Sequence, residues 1–406
     1  MHRVVVTGVG VVSPLGVGVM PTWDALVAGK SGIGPVSGLD VADLSVRIAA
    51  QATAFDATEL LGVKPARQLD RFTQMALYAS REARAHAGLT GEPEVPERQA
   101  TMIATGIGGV STHERAVEAL ANGRRVSPFT VPAYIGNSAA AAVAQDAGSR
   151  GQAMCPTTAC AAGTDAVGMG ADLIRLGRAD VVLAGGAEAP VTRSMIAAFA
   201  AMKAASTRND EPERASRPFD LHRGGLVIGE GAAVLVLESA DHASARGAEA
   251  LAEVVGYGAS NDAHHITAPR PDGLAASTAL RSALSDAGVE PSDVDYVNAH
   301  GTGTKLNDAA ESLVLRTVLG EVPTSSTKSM TGHLMGAAGA LEAVLCVQAL
   351  RTGLLPPTVN LDELDPECAG LDYIRDSARR ADPRVVVSTS FGFGGHNAVI
   401  VLRKAA

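Results

Sequence analysis

Cys160 stands in the run Pro156-Thr157-Thr158-Ala159-Cys160-Ala161-Ala162-Gly163, directly ahead of a stretch carrying Val167, Ala171 and Ile174 at helical spacing. A thiol at a helix N-terminus faces unpaired N–H groups and the positive end of the dipole, which lower its pKa and favour the thiolate. The small flanking residues leave a substrate room to reach the sulfur. The chemistry this allows is nucleophilic catalysis; the plain alternative is a small buried thiol, the usual fate of cysteine. Cys346 falls inside the apolar run Leu341–Leu350 and reads as core, and Cys155 and Cys368 have no comparable setting.

Two histidines sit in similar places. His300 lies in Asn298-Ala299-His300-Gly301-Thr302-Gly303-Thr304, just past a strand-like run, and His333 in Lys328-Ser329-Met330-Thr331-Gly332-His333, ahead of a helix expected over Met335–Thr352. Strand ends gather at one face of an open α/β sheet, where sites form. A lone His beside glycine is usually structural; two of them, with a Cys at a third such position, point to convergence. Another loop, Phe391-Gly392-Phe393-Gly394-Gly395-His396, also follows a strand-like run, and its glycines let backbone N–H groups turn toward a ligand as in an oxyanion hole. A tight turn is the bland reading. Gly8-Val9-Gly10 lacks the third glycine of a dinucleotide fingerprint, and neither a Walker A run nor metal-ligand spacing occurs.

Alternating elements must position these groups. Strands are expected at Val4–Val12, Thr101–Gly106, Val181–Gly185, Ala232–Leu237, Val294–Ala299 and Val385–Ser390, and a helix at Arg71–Ala87. The alternation predicts an α/β architecture with mainly parallel strands. The charged, Ala-rich passage Glu238 to Glu249 is the expected seam, giving halves of residues 1–245 and 246–406. The chain has 406 residues, 46% hydrophobic and 19% charged, enough for a large core. Aromatics are few (1 Trp, 5 Tyr, 7 Phe) and glycines many (44), so backbones are expected to approach closely. A net charge of −9 argues against a general nucleic-acid binder. Four cysteines without a CxxC pair fit a reducing compartment, and no apolar run is long enough to span a membrane, so the expectation is a cytoplasmic protein.

Taken together and in order, Thr-Ala-Cys-Ala, Asn-Ala-His-Gly-Thr-Gly-Thr, Lys-Ser-Met-Thr-Gly-His and Gly-Phe-Gly-Gly resemble the condensing enzymes of the thiolase superfamily. The resemblance is in particular to β-ketoacyl-acyl carrier protein synthase II and to the ketosynthase subunits of type II polyketide synthases. It implies a five-layered αβαβα sandwich of two related halves, normally dimeric. It also implies a decarboxylative Claisen condensation between an acyl group on Cys160 and a malonyl unit. No bound cofactor or metal is expected; substrates arrive on the phosphopantetheine of a separate acyl carrier protein.

By the same resemblance, His300 and His333 stabilise an enolate, and the backbone N–H groups of Cys160 and Phe393 form the oxyanion hole. Lys328 pairs with Glu311. Thr302 and Thr304 hold the pantetheine arm, Phe391 and Phe393 flank the substrate, and Ile107 and Phe199 line the acyl tunnel. An acidic enzyme must meet an acidic carrier through a local basic patch; Lys64, Arg67 and Arg71 make one candidate, and Lys203, Arg208 and Arg214 another. The motif mixture leans toward a type II polyketide enzyme, with fatty-acid synthase II as the alternative. The active species is a homodimer or a heterodimer with a chain-length-factor subunit. A Cys-His acyltransferase or hydrolase and a non-catalytic partner subunit are the other classes; the latter lack the nucleophilic Cys.

Overall fold

The computed structural model describes residues 2–405. In chain order the first half supplies strands β1 (Val4–Ser13), β2 (Gln99–Ala104), β3 (Ala153–Met154), β4 (Val181–Glu188) and β5 (Gly231–Ser239). The second supplies β6 (Ala252–Asn261), β7 (Tyr296–Asn298), β8 (Pro323–Ser325), β9 (Asp372–Tyr373), β10 (Val385–Gly392) and β11 (His396–Lys404). The helices that matter to the site are α1 (Arg71–His86), α2 (Ser138–Asp146), α3 (Ala162–Arg175), α4 (Leu274–Ala287), α5 (Lys305–Leu319) and α6 (Ala338–Thr352).

The strands run in the order β9-β8-β7-β10-β11-β6-β1-β5-β4-β2-β3. The two halves join where β1 meets β6, through Val5↔Glu253 and Val6↔Ala252. The sheet is mixed, which corrects the expectation of mainly parallel strands. β2, β3 and β4 pair in parallel, as do β7 with β8 and β10 and β8 with β9, whereas β1, β5, β6 and β11 pair with their neighbours antiparallel. The last two strands of the second half are joined by a tight turn, so they can only run antiparallel. Helices α3 and α6 lie against each other and touch strands of both halves; α1 and α2 cover the outer face of the first half and α4 that of the second, with α5 packed beside α4. These are the five layers of an αβαβα sandwich. Because α3 and α6 are covered on both sides, their sequences are almost wholly apolar or small, as in Leu341–Leu350.

Small residues set the layer spacing. A Cβ on Gly10 would lie 2.0 Å from the Ala79 carbonyl oxygen, and one on Gly258 would lie 2.2 Å from that of Ala279. Gly8 and Gly256 meet Ala83 and Ala283 in the same way. Each half thus sets a Gly-x-Gly strand on an Ala-x3-Ala helix face, a contact with no room for larger side chains at those positions. Gly10→Ala must lift β1 off α1, and we expect it to cost about 3 kcal/mol or more, read as a lower denaturation midpoint at unchanged slope.

Candidate active site

The two central helices are entered by matching turns. The 3₁₀ turn Ala159–Ala161 opens α3 and Met335–Ala337 opens α6, each beginning with a non-glycine residue at positive φ: 51° at Ala159 and 47° at Met335. Such left-handed backbone costs on the order of 1 kcal/mol and persists only where its surroundings enforce it. Gly392 does the enforcing on one side: a Cβ there would lie 2.8 Å from the Thr158 carbonyl oxygen and 3.1 Å from the Cys160 nitrogen. The turn at Met335 means that α6 proper starts at Ala338, three residues later than the expected helix start.

Cys160, His300 and His333 converge: the sulfur and one ring nitrogen from each histidine lie within 4.8 Å of one another, and all three residues are buried. The imidazole planes stand at 86° with centroids 5.3 Å apart, and Phe391 packs edge-on to His300 at 6.1 Å. The Nδ1 of His333 accepts from the Met335 N–H at 3.2 Å, and the Nδ1 of His300 lies 3.3 Å from the Lys328 ammonium. With Nδ1 accepting, the proton of each neutral ring sits on Nε2. Burial, reinforced by Lys328, holds both rings well below the usual imidazole range, so both are neutral donors at neutral pH. The Nε2 of His333 is buried and has no partner among the described residues.

The thiol corrects the sequence expectation. Burial pushes Cys160 up to about 11; Lys328 and the backbone N–H groups of Phe393 and Cys160 pull the other way without overcoming it. The sulfur is therefore a thiol at neutral pH. Alkylation of Cys160 by iodoacetamide is expected to rise about tenfold per pH unit above neutrality without a plateau below pH ~10. A plateau near pH 8 would show that the helix end dominates. The same two amides that draw the thiol pKa down are those expected to hold an oxyanion.

Lys328 does not pair with Glu311. Its ammonium is bonded to Glu342, both side chains 2% exposed, and burial pushes the Glu342 carboxyl up to about 7 despite that cation. Glu311 instead accepts from the backbone N–H groups of His300 and Gly301 and from Thr389 Oγ1, each at 2.7 Å. It fixes the His300 loop, while Glu342 balances the lysine. Glu342 escaped sequence reading because it lies inside the apolar run of α6.

The site opens into a cavity of about 620 Å³. Its wall includes Ile107, Phe199, Thr302, Thr304, Phe391 and Phe393, so the structure brings these predicted residues together with the Cys-His-His cluster. The hydroxyls of Thr302 and Thr304 lie 2.9 Å apart. Lys203 is exposed and also reaches the cavity. The other proposed docking cations do not line it. Arg71 is held by Glu230 at 2.8 and 3.0 Å and by the Ala52 carbonyl, so it braces the fold and offers no free charge, correcting its assignment. Arg208 pairs with Glu211, and Arg214 with Asp362. Lys64 is exposed, and Arg67 borders a separate depression with Arg115 and Arg125.

A layered sandwich with a buried Cys and two neutral His donors at the mouths of its central helices defines a condensing enzyme of the thiolase type. The family comparison agrees: residues 1–243 match the beta-ketoacyl synthase N-terminal domain and residues 251–362 the C-terminal domain, so the chain belongs to the beta-ketoacyl synthase family. It is 44% identical over 408 residues to the 3-oxoacyl-[acyl-carrier-protein] synthase 2 of Staphylococcus aureus (strain COL), covering 99% of this chain and 98% of that protein. Among solved structures it is similar to the ishigamide ketosynthase/chain length factor (39% identity, TM-score 0.93, both chains fully covered). It is also similar to a type II polyketide ketosynthase solved with its acyl-carrier protein (36% identity, TM-score 0.91, both chains fully covered). The chain is a ketosynthase, an acyltransferase that forms carbon–carbon bonds.

Proposed function

We propose that Cys160 carries the acyl chain and that His300 and His333 drive decarboxylation of the extender. The sulfur attacks an acyl thioester, the tetrahedral oxyanion rests on the amides of Cys160 and Phe393, and the pantetheine thiol leaves with the proton. The malonyl thioester then loses CO₂. The electron pair of the broken bond passes into an enolate whose oxygen accepts from the two Nε2–H groups, and the carbanion attacks the acyl-Cys160 carbonyl. The new C–C bond forms, the C–S bond breaks, and the sulfur leaves as a thiolate that takes a proton from water to restore the thiol. One observation carries this reading: the sulfur and the two imidazoles share a single buried cavity within 4.8 Å. Thr302 and Thr304 hold the pantetheine arm, and Ile107 and Phe199 border the acyl chain.

The substrates reach the site on a separate acyl carrier protein, with no free cofactor. Of the basic residues first considered for docking it, Lys64, Arg67 and Lys203 remain. The chain divides near residue 245 into two thiolase-like halves, a division supported by the repeated Gly-x-Gly and Ala-x3-Ala pairing. No described helix is long and apolar enough to cross a membrane, and we assign the enzyme to the cytoplasm. We favour a type II polyketide pathway, with a chain-length-factor subunit as partner, a reading supported by the similarity to the ishigamide ketosynthase/chain length factor. The second reading, a homodimeric β-ketoacyl-acyl carrier protein synthase II of fatty-acid synthesis, has the 44% identity to the Staphylococcus synthase in its favour. Product mass from malonyl-loaded carrier separates them. Chains that retain several keto groups, formed when a chain-length-factor subunit is present, support the first. Full turnover by the protein alone, one condensation per reduction cycle, supports the second.

A further inference from the structure

Glu188 is the one carboxylate beside Cys160 that the reaction described above does not use. It ends β4, is fully buried, and has no Lys or Arg partner among the described residues. Five donors surround it. Oε1 accepts from Thr105 Oγ1 at 2.7 Å and from the N–H groups of Ile107 and Gly108 at 3.2 and 3.3 Å. Oε2 accepts from the N–H groups of Gly106 at 2.6 Å and Gly336 at 3.0 Å. Burial raises its pKa, and these donors oppose the rise. Both oxygens face donors, so a proton on either would point at an N–H; the geometry favours the ionised form.

The donors come from two separate pieces of the cavity wall. One is the loop 105–108 that carries Ile107; the other is the strained turn at Gly336, next to the Met335 amide that holds His333. Glu188 ties the two into one frame from beneath. Its charge raises the pKa of both the Cys160 and the Cys155 thiol, whereas Lys328 lowers that of Cys160. We propose that Glu188 is a positioning residue of the condensation site, clamping the Ile107 loop to the His333 turn so that the acyl pocket keeps a fixed depth, and placing a negative charge behind the cavity wall at Gly106.

This inference rests on the acyl-Cys160 reading, and two variants test it apart from that reading. Glu188→Gln keeps the shape but removes the charge and loosens the clamp. Thr105→Val removes one hydroxyl donor and the support that hydroxyl gives the Gly108 N–H at 3.1 Å, leaving the charge in place. Acylation of Cys160 by short- and long-chain acyl carriers, followed by intact-protein mass spectrometry, should show the long-to-short rate ratio rising about 3- to 10-fold in both variants as Ile107 gains freedom. The iodoacetamide–pH curve should move about 0.5 to 1 unit toward acid in Glu188→Gln alone, because an anion that raises the thiol pKa has gone. A wild-type chain ratio in Thr105→Val, or an unmoved alkylation curve in a folded Glu188→Gln, overturns the proposal. If Glu188→Gln does not fold, the ratio in Thr105→Val decides. Failure of the wild-type protein to accept any acyl group on Cys160 would sink the functional reading instead, and the alkylation curves would still report on Glu188.

Discussion

His333→Ala is expected to keep acyl transfer to Cys160 within a few-fold of wild type while CO₂ release from malonyl carrier falls about 10² to 10³-fold, the usual effect of losing one preorganised oxyanion donor. The split follows from which atoms each step uses. Acylation needs the sulfur and the amides of Cys160 and Phe393. Decarboxylation needs a donor where the enolate oxygen develops, and the unpartnered Nε2–H of His333 is aimed into the cavity with its tautomer fixed by the Met335 amide. His300→Ala should behave alike, with some added loss of acylation because His300 also touches Lys328 and Phe391. Single-turnover acylation and radiolabelled CO₂ release measure the two steps separately. Equal loss of both in His333→Ala would show that the ring supports the thiol and not the enolate.

The second large effect concerns Lys328. Its positive charge is the strongest influence opposing the burial that pushes up the Cys160 thiol. Lys328→Met removes it from a site with little solvent, where a neighbouring charge is worth one or more pKa units. The thiol should then ionise at higher pH still, lowering acylation at pH 7 by about tenfold or more and moving the alkylation curve toward alkali. The Glu342 carboxyl loses its cation and moves further upward, so it takes a proton near neutrality and the fold is spared a bare buried charge. Because the same lysine depresses both histidines, their rings should become more basic in the variant. Unchanged acylation and alkylation curves in a folded Lys328→Met would assign the lysine to structure alone.

Much of the site was legible because its chemistry is written in contiguous loops. Cys160, His300, His333 and Phe393 each sit in a short run with a recognisable role, and convergence follows from placing strand ends on one face. What escaped were the groups that act on those residues from other elements. Glu342 lies 14 positions beyond its lysine inside an apolar helix, and Glu188 closes a strand far from the loops it anchors. The pairing of Lys328 with Glu311 came from the family resemblance, and an acid set among apolar helix residues gives no sequence sign that it faces a lysine. The state of the thiol is hidden for a related reason. A helix start can be read from sequence, whereas the burial that outweighs it depends on the layers closing over the turn.

The fold shows the same division. The strands can be located from their β-rich runs, but their direction cannot, since the antiparallel pairing of β1, β5, β6 and β11 depends on which strands the chain brings side by side, within each half as well as across the β1–β6 junction. Gly8-Val9-Gly10 carried little weight as a ligand motif, and its use lies elsewhere, as a smooth strand surface on which α1 rests. Gly256 and Gly258 rest on Ala283 and Ala279 as Gly8 and Gly10 rest on Ala83 and Ala79, a correspondence visible only once the helix faces are set beside the strands.

The most direct test is peptide mapping after incubation with acyl-loaded carrier, followed by addition of malonyl-loaded carrier. The account predicts the acyl mass on the peptide containing Cys160, its disappearance on extender addition, and release of CO₂ with a β-ketoacyl product. Cys160→Ala should give neither adduct nor product. A β-ketoacyl product from Cys160→Ala, or an acyl group mapped to Cys155 in place of Cys160, would contradict it.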